Sequence, residues 1–477
     1  MPLHRLVVSF ALLTALPAFS QSMPDMPGMQ SKPVANAPTQ MSGTMSMAPP
    51  NNFIEAQLQH TSSGTTQEPP STPMHMLMLE RGGWQLMLHG TAFLADTQQH
   101  ATQSPSVPPS CPACAIPNRR GTGKLFSTNW IMPMAQRRLG PGQLTLRTML
   151  TLEPATISHG YYPELFQQGE TANGKPILDG QHPHDFVMEL AALYDIRLGR
   201  NALISLYAAP VGDPAIGPTA YPHRESASED PIAALGHHQQ DSTHIAFNVI
   251  TASVTYKTVR VEGSGFHGAE PTEARWHLAP SPNGHAVDSY SSRLTWVPSR
   301  NWAAQYSIAH ITQPEQLRPN EDQRRQTASV MYTRAMGAHH DTTSMPGMDM
   351  GSLATGSLAI TALWGQARAL QAATTENSYL VEVLLHQHRN AYWTRIELAG
   401  RSSELLNQPS LSANESPAGH VAALTLGYDR RFQVTHLLSA APGVQLTMYC
   451  SSDPLASTYG RSPFGAVAFI HFRLGTL

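Results

Sequence analysis

Apolar and polar residues alternate in a series of segments that begins near residue 84 and runs to the C-terminus. Strict alternation is typical of β-strands with one apolar and one polar face, because successive side chains point to opposite sides of a sheet. The segments have the length of tilted strands that cross a bilayer, about 9–11 residues. The clearest of them cover residues 84–96, 142–153, 244–257, 324–333, 379–386, 420–429 and 464–474.

Short and long connections follow one another between these segments. Three short turns share an Arg-Asn pair, at residues 199–201, 299–301 and 388–390. The long connections lie at about 97–121, 154–182, 209–242, 268–286, 313–323, 402–418 and 451–463. Outer-membrane barrels have short periplasmic turns, long external loops and an even strand number. The pattern therefore predicts an all-β fold, a transmembrane antiparallel outer-membrane β-barrel of about 16 strands, between 14 and 16. A secreted sandwich or propeller is the alternative.

The N-terminal part of the chain, residues 1–79, lacks this alternating pattern. Residues 1–20 combine a basic start, an apolar stretch and a small-residue cleavage site, which predicts a secretory signal peptide. Residues 21–79 are rich in Met, Pro, Ser and Thr without periodicity, which predicts a disordered periplasmic tail. We expect the barrel to take up residues 80–477, in the outer membrane of a Gram-negative bacterium and in contact with its lipid.

The composition agrees with a membrane barrel and argues against nucleic acid as a partner. Charged residues make up 13% of the 477 residues, against roughly 25% in soluble domains, and a lipid-facing surface explains the difference. The net charge of −3 gives no basis for nucleic-acid binding. Charges within strands are expected to face the lumen. These are Glu189, Asp195, Arg197, Glu262, Arg293, Arg395 and Glu397.

Methionines recur through the tail and predict the capture of a soft metal there. Met23, Met26 and Met29 lie three residues apart, which brings three thioethers into a short segment. Thioethers are soft, neutral ligands that suit Cu(I) and, to a lesser degree, Ag(I). Compositional drift in an unstructured segment is the alternative. The ligands predicted in the tail are Met23, Met26, Met29, Met41, Met45, Met47, Met74, His75, Met76 and Met78.

A second methionine segment follows the tenth predicted strand. Its Met345-Pro-Gly-Met348 repeats the Met26-Pro-Gly-Met29 of the tail. Strand counting places this connection on the same, periplasmic face as the short turns and the tail. We therefore expect both segments to bind copper on one side of the membrane. The ligands predicted here are His339, His340, Met345, Met348 and Met350.

A group of histidines is expected at the external mouth of the barrel. His182, His184 and Asp185 open the fourth predicted strand, and they are candidate ligands for Cu(II) or Zn(II). The next long loop ends with His237, His238, Asp241 and His244. The alternative is a hydrogen-bond network that fastens the external loops.

The cysteines and the catalytic motifs give less information. Cys111 and Cys114 can pair with each other, or one of them can pair with Cys450 and join the first strand to the last. No nucleophile elbow, zinc-protease helix or phosphate loop occurs in the sequence. We therefore expect no enzymatic activity.

Four segments carry a resemblance to a known family, at residues 162–170, 181–190, 235–244 and 288–296. Through them the chain resembles, from about residue 84 to 477, uncharacterised bacterial outer-membrane barrels with a His-Pro-His-Asp motif. The resemblance implies an association with copper and heavy-metal resistance, and it supplies no catalytic residue. The tail is also similar in style to the Met-rich N-termini of copper-resistance outer-membrane proteins.

The sequence thus predicts an outer-membrane barrel that binds copper, with Cu(I) favoured, through Met- and His-rich periplasmic segments. Such a barrel would contribute to metal resistance or homeostasis, with periplasmic copper-handling proteins as partners. The alternative is a general porin-like or structural barrel without a specific metal role.

Overall fold

The computed structural model describes residues 50–101, 120–278, 280–282, 284–316, 318–337, 356–406 and 417–475. Within these residues the chain forms a closed antiparallel barrel of 16 strands. The barrel strands in chain order are β1 Trp84–His100, β2 Gly123–Leu139, β3 Gly142–Leu150, β4 Val187–Leu198, β5 Ala202–Gly212, β6 Ala246–Tyr256, β7 Val259–His267, β8 Ser289–Ser299, β9 Trp302–Ile311, β10 Gln323–Met336, β11 Gly356–Ala369, β12 Thr375–Gln387, β13 Asn390–Ser402, β14 Pro417–Arg430, β15 Leu438–Ser451 and β16 Phe464–Leu474.

Each barrel strand pairs with its neighbours in sequence, and the last strand closes the sheet against the first. In this closing pair Thr91 lies opposite Arg473, and His100 lies opposite Phe464. Closure leaves no unpaired sheet edge in the bilayer. The predicted strand number and the predicted last strand, 464–474, are both confirmed. None of the helices in the described part of the chain is long and apolar enough to span a membrane.

The connections divide the barrel into two ends, named here the turn end and the loop end. The turn end holds the short connections 140–141, 199–201, 257–258, 300–301 and 388–389, as the sequence predicts. Gly199 has φ of 73°, which a tight hairpin turn requires and which glycine adopts without strain. Two connections break the expected alternation. The short link 370–374 lies at the loop end, whereas Met336 and Gly356, the strand ends that the long link 337–355 joins, lie at the turn end.

The outer face of the barrel is apolar, as contact with lipid requires. Leu206, Ile250, Val261 and Ile396 are among its exposed side chains. Exposed aromatic rings gather near both ends, where they match the bilayer interfaces. Near the turn end these are Tyr256, Trp296, Trp302, Tyr392 and Tyr428, and near the loop end they are Tyr290, Tyr379 and Phe464.

Shorter elements complete the described structure. The helices are α1 Phe53–Gln59, α2 Glu153–Thr156, α3 His237–Gln240 and α4 Asp453–Tyr459, with 3₁₀ turns at Ser158–Gly160, Glu225–Ala227, Ser242–His244 and Ser403–Leu406. Short strands Leu77–Arg81 and Phe432–Thr435 extend the sheet. Two separate two-stranded sheets are formed, by Tyr162–Pro163 with Gly180–Gln181 and by Glu170–Ala172 with Lys175–Ile177. Leu77–Arg81 pairs with the start of β1, where Met78 lies opposite Met87.

The expected disordered tail, residues 21–79, needs a correction. Residues 50–76, named here the plug, are folded inside the barrel, and residues 77–79 belong to the short strand that pairs with β1. Asn52 caps α1 by accepting the Glu55 N–H, and Phe53 packs on Val297 and Met331 of the barrel wall. The plug escaped prediction because polar contacts rather than a periodic apolar face hold most of it. Residues 21–49 lie outside the described part of the chain.

The long connection between β5 and β6 also folds into the barrel. Residues 213–245, named here the inner loop, cross the lumen from β5 to the far wall and return. The Gly217 N–H donates to Ser307 Oγ on β9. Further along, Ser226 Oγ bonds Thr361 Oγ1 on β11, and Glu229 contacts His471 on β16. The plug and the inner loop therefore share the interior.

Candidate functional site

The lumen is filled by the protein's own chain. Polar side chains that point inward from strands around the barrel have no exposed surface, although in a water-filled pore they would be wet. Thr97, Thr145, Thr255, Ser307, Thr327 and Ser378 are each 0% exposed. The large Arg293, Arg325 and Arg395 are each 2% exposed. We therefore take the contact between the wall, the plug and the inner loop as the candidate functional site.

One arginine on β3 holds the plug in place. Arg147 forms a bidentate pair with Glu189 on β4, with Nε–Oε2 and Nη2–Oε1 distances of 2.7 and 2.8 Å. The same guanidinium donates to three plug carbonyls, those of His60 at 3.0 Å and of Ser62 and Gly64 at 2.5 Å. Charge-assisted bonds of this kind are the strong ones in proteins. Arg147 thereby couples the plug to the barrel wall.

Ser63 and Gly64 of the plug pack closely against Asp213, the first residue of the inner loop. Ser63 Oγ donates to Asp213 Oδ2 at 3.0 Å, and the Gly64 N–H donates to Glu189 at 3.0 Å. Gly64 has φ of 54°, and a Cβ at this position would lie 2.6 Å from the Asp213 Cβ. Only glycine combines this backbone conformation with so close an approach. Burial raises the pKa of Asp213 to about 8.

Ion pairs fix the middle of the inner loop to the opposite wall. Arg224 forms a bidentate pair with Glu382 on β12, at 2.8 and 3.1 Å. The Leu235 N–H donates to Glu397 on β13 at 2.7 Å, and Arg401 donates to the Leu235 carbonyl at 2.6 Å. All these groups are buried, and within the Arg224–Glu382 pair each buried charge depends on the other.

The tip of the inner loop inserts one carboxylate into a basic cluster near the turn end. Glu229 accepts from Arg431 at 2.7 Å, from Arg473 at 3.0 Å and from His471 at 2.6 Å. Burial disfavours this carboxylate, but the two arginines and His471 outweigh burial and hold the pKa of Glu229 well below its ordinary value. The possible ligand atoms of Asp429, Glu229 and His471 lie within 4.8 Å of one another. The adjacent guanidinium groups already neutralise this carboxylate, so we place no cation there.

The expected histidine group at the mouth comes together in the structure. The His184 ring lies 5.2 Å from that of His244, and the His237 ring lies 5.4 Å from it. His184 Nδ1 bonds Glu153 at 2.8 Å, and His237 Nδ1 bonds Asp241 at 2.6 Å. The hydrogen-bond network expected as the alternative is thus present.

The same histidines at the mouth also have two features that a metal site needs, a neutral imidazole ring and a small cavity. Burial and the nearby His184 and His237 lower the pKa of His244 to about 3, which keeps its ring neutral. Asp185 is held by Arg275 at 3.0 Å, and His182 Nδ1 contacts the Pro183 carbonyl. A cavity of about 40 Å³ lies among these residues. Metal binding by His182, His184 and Asp185 stays a prediction.

The tail ligands separate into two groups. Met74, His75, Met76 and Met78 are described and half-buried. Met76 and Met78 pack against a buried group that the sequence analysis missed, Met87, Met132, Met134, Met149 and Met188 on β1–β4. The alternation of Met132 and Met134 along β2 was the available signal. The other predicted methionine-segment ligands lie outside the described residues, namely Met23, Met26, Met29, Met41, Met45, Met47, His339, His340, Met345, Met348 and Met350.

The charged strand residues mostly lie where they were expected. Six of the seven are buried in the interior, namely Glu189, Asp195, Glu262, Arg293, Arg395 and Glu397. Arg197 differs, because it lies at the turn end of β4 and is exposed. Cys450 is exposed on β15, and its two candidate partners, Cys111 and Cys114, lie outside the described residues.

Solved structures with a similar fold include a porin, OmpF and OprB. An anion-selective porin from Comamonas acidovorans is 10% identical with a TM-score of 0.47, over 82% of this chain and 99% of the porin. OmpF of Salmonella typhi in complex with daunomycin is 9% identical with a TM-score of 0.45, over 83% and 100%. OprB of Pseudomonas putida is 12% identical with a TM-score of 0.44, over 82% and 94%. No family model and no curated protein matches the chain.

Proposed function

We propose that this protein is a porin-like outer-membrane channel that its own plug and inner loop hold closed. The observation that carries the proposal is the burial of the polar inner wall by residues 50–76 and 213–245. A wall rich in Ser, Thr and paired charges is suited to water and small polar solutes once these segments move aside.

The plug is bound in a way that permits release. Several of its contacts to the wall are hydrogen bonds to backbone carbonyls, such as those from Arg147 and from Arg260 to Thr65. Water can replace such bonds, because even a hydrogen bond that involves a charged group contributes only about 1.5–3 kcal/mol net to stability. Apolar contacts are concentrated in α1, where Phe53 packs on the wall. Displacement of the segment after α1 is therefore the expected opening step.

The proposal is tested by the conductance of the purified chain in planar bilayers. We expect rare openings from the mature chain and frequent openings from a variant that lacks residues 50–76. The matched control lacks residues 21–49 and keeps the plug, and we expect it to stay closed. Equal, frequent openings in all three proteins would refute closure by the plug, and a silent variant without the plug would refute opening by displacement of the plug.

A second candidate function is copper binding by the Met-rich segments. It is favoured by the position of Met76 and Met78 next to the buried methionines, at the end of the barrel from which the connection 337–355 also emerges. Titration of Cu(I) into the mature chain, and into the variant without residues 21–49, tests it. Strong binding that falls in the shortened variant would support the tail, and negligible affinity in both proteins would contradict this function.

A further inference from the structure

The buried methionines of β1–β3 form a row with a histidine. Across β1 and β2, His89 lies opposite Met132 and Met87 lies opposite Met134. Between β2 and β3, Ile131 lies opposite Leu150 and Met134 lies opposite Arg147. The same register places Met132 opposite Met149. Directly opposed residues in a sheet have Cβ atoms about 4.5–5.5 Å apart. His89, Met132 and Met149 therefore present one nitrogen-bearing ring and two thioethers side by side.

The inner loop brings a second imidazole to this row. His223 Nε2 lies 2.7 Å from Met149 Sδ. The rings of His223 and His89 both contact the indole of Trp130, with centroid distances of 4.2 and 4.7 Å. Among the described residues, Nδ1 of His89 and Nδ1 of His223 are buried without a hydrogen-bond partner. Two ring nitrogens are thus left unsatisfied next to sulfur ligands.

The charged groups near these four residues are already paired, Arg147 with Glu189 and Arg473 with Glu229. Glu189 is the nearest carboxylate along the sheet, opposite Met149, and it is already paired with Arg147. The cost of burying an ion rises with the square of its charge, so a site without a free carboxylate favours a monovalent over a divalent cation.

We propose that Met132, Met149, His89 and His223 form a binding site for a soft monovalent cation, Cu(I) or Ag(I), inside the barrel. Thioether sulfur and imidazole nitrogen are the donors that such ions prefer. Met76 and Met78 border the site towards the turn end and offer further thioethers on the way to it. The site is independent of conduction and differs from the one predicted in the tail.

A plain hydrophobic core is the competing explanation, because methionine readily fills irregular space. The other methionines in the described part of the chain do not join this group, and Met331 instead packs on the plug with Phe53. The two explanations differ in one consequence. Exchange of Met for Leu nearly conserves volume and usually costs a core less than about 1.5 kcal/mol, whereas it removes both sulfur ligands from a metal site.

Titration with Ag(I) in chloride-free buffer tests the site directly. The full mature chain carries Cys111→Ser, Cys114→Ser and Cys450→Ser, so that no thiol competes for the ion. In this background we expect Met132→Leu with Met149→Leu to lose one bound Ag(I), or to weaken its binding about 100-fold or more. The matched control, Met331→Leu with Met448→Leu, should bind as the parent does. Retention of every Ag(I) at unchanged affinity in the first variant would overturn the proposal.

The histidines are tested by X-ray absorption of the Cu(I)-loaded chain. His223→Gln should remove nitrogen from the copper shell, whereas His310→Gln, on β9, should leave the shell unchanged. Exchange of Met23, Met26 and Met29 for Leu should leave the nitrogen contribution to the copper shell in place. Loss of all binding in this tail variant would assign the metal to the tail and refute the inner site. Because conductance is recorded separately, failure of the closed-channel proposal would leave this result intact.

Discussion

Loss of the Arg147 side chain should release the plug. In Arg147→Met the Glu189 carboxylate stays buried without its bidentate partner, and three plug carbonyls lose their donor. Removal of one partner from a buried ion pair costs about 3–5 kcal/mol. Glu189 still accepts from the Tyr207 hydroxyl and the Gly64 N–H, so we take the lower end, about 3 kcal/mol. Each 1.4 kcal/mol is tenfold in an equilibrium, so the open population should rise about 100-fold.

The assay is thiol labelling of Ser62→Cys in a background without the native cysteines. Ser62 is buried in the docked plug, so its labelling rate reports the open population. Ser439→Cys, buried on β15 where the Ser439 hydroxyl donates to the Arg473 carbonyl of β16, serves as the control for general loosening of the barrel. We expect faster labelling at position 62 and no change at position 439.

A double substitution separates the unpaired charge from the lost carbonyl bonds. Arg147→Met with Glu189→Gln removes the buried charge, and we expect it to recover part of the docking. A labelling rate at position 62 that stays within about threefold of the parent would refute the role of Arg147, because about 3 kcal/mol demands a far larger change.

Three further predictions concern the fit of the plug, its pH response and its orientation. Gly64→Ala should undock the plug, because the new Cβ would clash with Asp213. Gly174 also has a positive φ, 70°, but free space around it, so Gly174→Ala should leave the plug docked. Equal labelling of Ser62→Cys in both variants would contradict the close contact between Gly64 and Asp213. Burial raises the pKa of Asp213 to about 8 in the docked state, whereas a hydrated Asp has a pKa of about 4. Docking should therefore be strongest below about pH 4, weaken as the pH rises to about 8, and stay constant above that pH. Conductance should therefore rise over that range, and a pH response that persists unchanged in Asp213→Asn would contradict this origin. Cysteine placed at Asn201, at the turn end, should be inaccessible to reagents outside intact cells, while cysteine at Ala373, at the loop end, should be labelled; the reverse result would invert the barrel.

The barrel was predictable because its signals are local. Alternation along a strand such as β16, and turns such as 199–201, are visible within a few residues of sequence. The position of the second methionine connection followed from counting strands, and it lies between β10 and β11 as expected. Whether the turn end faces the periplasm is a prediction that the labelling experiment addresses.

The filling of the barrel was not predictable, because its contacts join distant parts of the chain without a periodic pattern. Arg147 meets the carbonyl of Gly64, 83 positions away, and Glu229 meets Arg473, 244 positions away. A single arginine or glycine in a polar segment gives no sign of such a partner. The methionines of β2 alternate visibly, but His223 reaches them from a loop whose path is set by tertiary packing.

A reversible lock on the plug tests the central claim of a self-closed channel most directly. Ser71 Oγ lies 2.7 Å from Thr333 Oγ1 on β10, close enough for cysteines at both positions to form a disulfide. In the Arg147→Met background without native cysteines, oxidation of Ser71→Cys with Thr333→Cys should suppress the openings, and reduction should restore them. The openings of the variant with Thr333→Cys alone should not change on oxidation. Identical openings in the oxidised and reduced states would contradict closure by the plug.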